Sequence, residues 1–211
     1  MIRLEHVLPA DIEKTSFSII RRECEEKHIV IPEDKAPVIV RCIHTTADFD
    51  YASTLCFSDG VLDKAADAIR RGAHIITDTT MAWSGINKKV LAGFGGEAHC
   101  FIADPEVAEK ARQTGTTRAA VSMEKAAQMS VPLIFAIGNA PTALAALHDL
   151  IGRGFQPELI IGVPVGFVNV EASKELIMET EVPYIVNRGR KGGSNVAAAI
   201  CNAILYGLAR S

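Results

Sequence analysis

From Ala73 onward the chain carries five short apolar runs, "AHIITDT", "AHCFIAD", "VPLIFAIGN", "ELIIGVPVGF" and "VPYIVN". Runs that are apolar almost throughout, rather than at every second position, belong to strands covered on both faces. The segments between and after them supply the cover: "SGINKKVLAG", "DPEVAEKARQTG" with "TTRAAVSMEKAAQ", "APTALAALHDLIGRG", "VEASKELIMET" and "GSNVAAAICNAILYGLAR". Strands joined through helices pair in parallel, because a parallel crossover needs a connection of helix length. The pattern predicts an α/β fold: a mostly parallel sheet with helices on both faces, preceded by an N-terminal helical segment. The 211 residues suit one domain over 1–211, and no repeat or Pro/Gly/Ser-rich linker divides them.

The first third reads as helix. "PADIEKTSFSIIRRECEEK" sets Ile12, Ser16, Ile19 and Glu23 along one helical stripe, which places the Ser16 hydroxyl among apolar neighbours. "PEDKAPVIVRCIHTTAD" is compatible with a strand over Val38 to Ile43. Its Pro-Glu-Asp start and the Ile39/Ile43 spacing favour a helix. On a helix, Arg41 and His44 are three apart and project together. A histidine in an apolar stretch is commonly a hydrogen-bonded core residue. The competing reading is an acid/base group, since imidazole titrates near neutral pH. Asp48, four residues beyond, is placed either to orient the ring or to solvate the helix end. "SDGVLDKAADAIRRG" is an amphipathic helix with Ser58 or Asp59 as its cap and Gly72 after its end.

In parallel sheets ligands collect beyond the carboxyl ends of the strands. Three junctions there are rich in glycine or small polar residues: "AIGNAPTAL", with Asn139 as a helix cap, "VGFVNVEASKE", and "NRGRKGGSN". The last sets Arg188, Arg190 and Lys191 beside Gly192, Gly193 and Ser194 at a helix start, a combination that favours an anion. The opposing reading is a tight turn with solvated cations. Neither G-x-x-x-x-G-K-[ST] nor G-x-G-x-x-G is present, so a carboxylate or an unusual phosphate is favoured over a standard nucleotide. His74, His99 and His148 have no partner at metal-ligand spacing, and no H-E-x-x-H, cysteine pair or G-x-S-x-G occurs. No metal site is expected.

The formal net charge of −3 gives no reason to expect nucleic acid. Five scattered cysteines read as free thiols in a reducing compartment. With neither a signal-type h-region nor a span-length apolar run, a cytoplasmic protein without a membrane partner is expected.

"IEKTSF", "VRCIHTTADFD", "AIGNAPTAL", "GVPVGFVNVEASKE" and "NRGRKGGS", in collinear order over nearly the whole chain, resemble the precorrin-8X methylmutase family, which includes the cobalt-precorrin-8 methylmutases. The resemblance implies a cofactor-independent isomerase that moves a methyl group from C-11 to C-12 of a corrinoid tetrapyrrole in cobalamin biosynthesis. It implies a homodimer with the active site near the subunit interface. It makes His44 the general acid and assigns substrate contacts to Ser16, Arg41, Arg118, Asn139, Thr142, Arg188, Lys191, Gly193 and Ser194, the cations meeting acetate and propionate arms. Asp78, in "TDTTMAWSG", is a weaker candidate. A non-catalytic carrier of corrinoids or other anionic ligands is the alternative that the same cationic cleft would serve.

Overall fold

The computed structural model describes residues 8–210. The chain passes through α1 (Ile12–Glu26), α2 (Ala36–Thr46), α3 (Tyr51–Thr54), β1 (Leu55–Phe57), α4 (Val61–Arg70), β2 (His74–Thr77), α5 (Thr80–Gly85), α6 (Lys88–Ala92) and β3 (Ala98–His99). It continues through α7 (Pro105–Thr114), α8 (Arg118–Ala126), β4 (Leu133–Ile137), α9 (Pro141–Gly152), β5 (Leu159–Gly162), α10 (Val170–Met178), β6 (Tyr184–Asn187) and α11 (Ser194–Arg210). The strands form one sheet in the order β1-β6-β5-β4-β2-β3. β1 lies antiparallel to β6, and the other pairings are parallel. This is the mostly parallel α/β sheet that the apolar runs predict.

Strand side chains alternate between faces, and the core divides with them. Ile75, Ile134, Ala136, Leu159, Ile161 and Ile185 pack with residues of α2, α4 and α11. Ile76, Leu133, Phe135, Ile137, Ile160 and Val186 pack with residues of α8, α9 and α10. All five residues of β4 are buried, as a strand covered on both faces must be.

Several boundaries differ from the sequence reading. "AHCFIAD" pairs only over Ala98–His99 before the chain turns into α7. "SGINKKVLAG" is interrupted at Asn87, whose side chain accepts from Val90 N at 3.1 Å and starts a second short helix. β1 is three residues long and escapes periodicity altogether. Neither Ser58 nor Asp59 caps α4: Gly60 precedes it at φ 64, and the Ser58 hydroxyl instead accepts from Tyr184 N. On α1 the buried residues are Ile20 and Cys24, while Ile12 and Ile19 are 54% and 37% exposed. The packed face is thus rotated by about one residue from the predicted stripe.

Candidate active site

His44 is positioned by the end of α2. Pro37 occupies the first turn, where its missing N–H costs nothing, and Ala47 at φ 55 stops the helix while donating to Ile43 O. Val38, Ile39, Val40, Cys42 and Ile43 are buried, and His44 is exposed. It is therefore no core histidine. Ser16 Oγ, from α1, lies 2.8 Å from His44 Nδ1, and the Phe17 ring meets the imidazole edge-on at 5.3 Å. With Nδ1 engaged by the serine, Nε2 is the nitrogen presented outward, and the ring is held by a hydrogen bond on one side and an aromatic wall on another.

Arg41 takes a different part from the one its spacing suggests. Its side chain is 12% exposed, and its guanidinium bonds Glu13 at 2.8 Å and sits 5.2 Å and 4.9 Å from the centroids of Phe17 and Tyr206. It ties α1, α2 and α11 together beneath the Ser16–His44 pair.

Beyond the carboxyl ends of the parallel strands, buried polar groups shape the loops. Asp78, 1% exposed after β2, accepts from the backbone N–H groups of Gly138, Asn139 and Ala140 at 2.9, 2.8 and 2.6 Å. Burial pushes its carboxyl above the ordinary value, against the pull of those donors. Asn139 is thus held by its own N–H and does not cap α9, where Ala140 occupies the cap position. Thr79 caps α5 through Ala82 N and meets Ser194 Oγ at 2.8 Å, and Gly193 N donates to Val163 O. Lys174 is fully buried and donates to Gly189 O and Lys191 O at 2.6 and 2.9 Å. Burial pushes its ammonium down to about 8. Asn187 accepts from Thr54 Oγ1 and donates to Arg188 O and Lys191 O.

The loop after β6 carries its cations already partnered. Arg188 meets Glu175 at 3.2 Å and Arg190 meets Glu171 at 3.4 Å. Lys191 bonds both Asp48 and Asp50 at 2.6 Å, which raises the lysine and lowers Asp48 from their ordinary values. Asp48 therefore serves neither as orienter of His44 nor as a merely solvated helix end. It joins the end of α2 to the loop that opens α11.

On the other face, Thr117 caps α8 through Ala120 N and shares a 2.8 Å bond with Thr142 at the start of α9. Arg118, beside it, is exposed. A groove of about 410 Å³ runs between α9 and α10, lined by Pro141, Thr142, Ala145, Val168, Asn169 and Leu176. The predicted residues thus fall into two groups. Ser16, Arg41 and His44 belong to α1 and α2 and connect to Lys191 through Asp48. Asn139, Thr142 and Arg118 belong to the α8–α9 side, with Gly193 and Ser194 between the two.

Sequence reading missed Glu13, Lys174 and Asn187 as organisers of these groups. Lys174 had a signal, since it shares the helical stripe of Val170, Ser173 and Ile177 and so must be buried. It also missed that parallel pairing sets His74 Nδ1 2.9 Å from His99 Nε2, with Glu97 alongside. Burial and the neighbouring His74 push His99 below its ordinary value.

The fold and site together define an α/β protein with a serine-held, outward-facing imidazole and loop-borne cations, a class suited to proton transfer on an anionic small molecule. The chain belongs to the precorrin-8X methylmutase family, whose profile matches residues 11–207. It is 46% identical over 206 residues to the cobalt-precorrin-8 methylmutase of Salmonella typhimurium, covering 95% of this chain and 96% of that one. It is 34% identical to the precorrin-8X methylmutase of a Sinorhizobium species, covering 92% of each. The crystal structure of precorrin-8x methyl mutase from Thermus thermophilus superposes with a TM-score of 0.86 at 37% identity, covering 95% of this chain and 98% of that one.

Proposed function

We propose that this chain catalyses migration of a methyl group from C-11 to C-12 of precorrin-8X or cobalt-precorrin-8, giving hydrogenobyrinate or cobyrinate. The observation that carries the reading is the Ser16–His44 pair, an imidazole fixed at Nδ1 and open at Nε2. Protonated at Nε2, His44 lends its proton to the macrocycle. The methyl bond to C-11 breaks as the bond to C-12 forms, and the proton then returns to the imidazole. Substrate and product are isomers, so no redox partner or methyl donor enters the balance. Such proton transfer supplies a rate factor of about 10²–10⁴. The remainder comes from holding the ring in the shape of the migrated product.

Arg118 starts out exposed and ready for a carboxylate arm. Arg188 and Lys191 would exchange Glu175, Asp48 and Asp50 for substrate carboxylates, with Asn139, Thr142, Gly193 and Ser194 completing the cradle and Arg41, already held by Glu13, bracing it from α2. The two groups of site residues are closed into one site by a second copy of the chain. Phe167 and Val168, 82% and 78% exposed on the loop after β5, support such an interface. Among the described residues no helix is long and apolar enough to cross a membrane. A cytoplasmic location suits the five free thiols.

Product titration followed by absorbance tests the site. His44→Ala should bind product within about threefold of the native protein, since the imidazole acts on the reaction more than on ground-state affinity. Equal loss of binding and turnover would instead make His44 a ligand contact, and unchanged turnover would remove its assigned role.

A further inference from the structure

At the sheet edge opposite β1, β3 is only two residues long and is paired to β2 on one side. Three side chains with metal-binding atoms converge there: His74 at the start of β2, His99 at the end of β3, and Glu97 just before it, their ligand atoms all within 4.8 Å of one another. The imidazoles face nitrogen to nitrogen. Nδ1 of His74 is 2.9 Å from Nε2 of His99, the rings are 16° from parallel, and the centroids are 5.1 Å apart. That centroid separation is nearly the nitrogen–nitrogen distance plus one ring radius at each end. The contact is an in-plane N–H···N bond with one proton between two lone pairs, not a face-to-face stack. The Glu97 carboxylate lies 3.9 Å from the same His99 nitrogen and is 71% exposed, free to swing.

We propose that His74, His99 and Glu97 form a binding site for one divalent transition-metal ion, with Zn²⁺ as its reference occupant and water completing the shell. Two imidazoles and a carboxylate match the donor preferences of zinc and its first-row neighbours and disfavour magnesium or calcium. Zinc–nitrogen bonds of about 2.0–2.1 Å at a tetrahedral angle need the nitrogens about 3.3 Å apart. The pair must therefore open by a few tenths of an ångström and tilt, releasing the shared proton. Both rings are partly exposed and allow that movement. The surroundings are otherwise set: Phe101 lies against His99 at 5.8 Å, Thr77 Oγ1 donates to His99 O, and Ile75 N donates to Glu97 O at 2.8 Å. The Trp83 indole donates to Ala98 O, between Glu97 and His99. Bound metal would clasp the two-residue strand to β2, far across the sheet from the loop that carries Lys191.

The test uses the full-length protein stripped with EDTA, with Zn²⁺ delivered against a chromophoric chelator and thiols monitored separately. One equivalent should bind in the micromolar range and raise Tm. His74→Gln and His99→Gln should each weaken binding by about tenfold or more, and Glu97→Gln by less. Two of the six histidine Hε1 proton signals should move as Zn²⁺ is added to the unmutated protein, which keeps the test decisive if a variant fails to fold. Undiminished binding in the His74→Gln/His99→Gln double variant would overturn the site. So would movement of other histidine signals, or thiolate-to-Co²⁺ charge-transfer bands placing the metal on cysteine.

Discussion

Ser16 and His44 come from different helices and meet through one hydrogen bond, and on the proposed reading the serine aims the ring rather than touching the reacting carbons. Removing a single partly exposed hydroxyl costs about 1 kcal/mol or less in stability. Ser16→Ala should therefore leave Tm nearly unchanged while kcat falls about 3- to 30-fold at constant KM, the pattern of an interaction used in the transition state. Unaltered kcat would assign Ser16 to packing alone. The histidine was legible at this scale because Arg41 and His44 stand out in an apolar run. Its exposure was not legible, since the same run fits a core histidine until the helix is packed. Arg41 shows the converse: its spacing points to the site, but Glu13, Phe17 and Tyr206 already satisfy it, and such long-range partners leave no local mark in the sequence.

At the scale of elements, the carboxyl-end loops are held by buried polar groups. Lys174 carries its charge in the core below about pH 8, whereas an ordinary lysine releases its proton near 10.5. Between those values the unfolded chain keeps a proton that the native chain has lost. This residue's contribution to stability therefore rises with pH across that window, by up to about 3 kcal/mol, and is flat below it. Urea unfolding from pH 7 to 10 should show this rise relative to Lys174→Met; parallel curves would contradict it. Gly192 in the loop after β6 is equally constrained. A Cβ on Gly192 would lie 2.1 Å from Val163 O, so Gly192→Ala should destabilise by about 2 kcal/mol or more, or displace the loop, measured by thermal unfolding. A change within 0.5 kcal/mol, the range of a neutral surface site, would show that the loop approaches β5 less closely. The glycine-rich junction was visible in the sequence as a helix start with cations. Its neutralisation was not, because Glu171, Glu175, Asp48 and Asp50 lie on other segments.

For the whole molecule, the parallel core was the most legible feature, since strands buried on both faces must be apolar throughout. The short edges were least legible. β1, three residues long, offers too little pattern to read, and β3, legible within "AHCFIAD", pairs over only two residues, because edge pairing depends on neighbours distant in sequence. The two-sided distribution of site residues also belongs to this scale, and with it the proposed second copy of the chain. Sedimentation at micromolar concentration should give a dimer that Phe167→Glu weakens, while a native monomer that turns over at full rate would remove the need for a partner.

The most direct test is anaerobic incubation of the purified protein with precorrin-8X, and separately with cobalt-precorrin-8, followed by visible absorbance. Methyl migration changes the conjugation of the macrocycle, so turnover appears as a spectral shift. Conversion of either substrate, reduced by about 10² or more in His44→Ala, is the predicted result. Tight binding of product without conversion, or conversion at an unchanged rate in His44→Ala, would contradict the account.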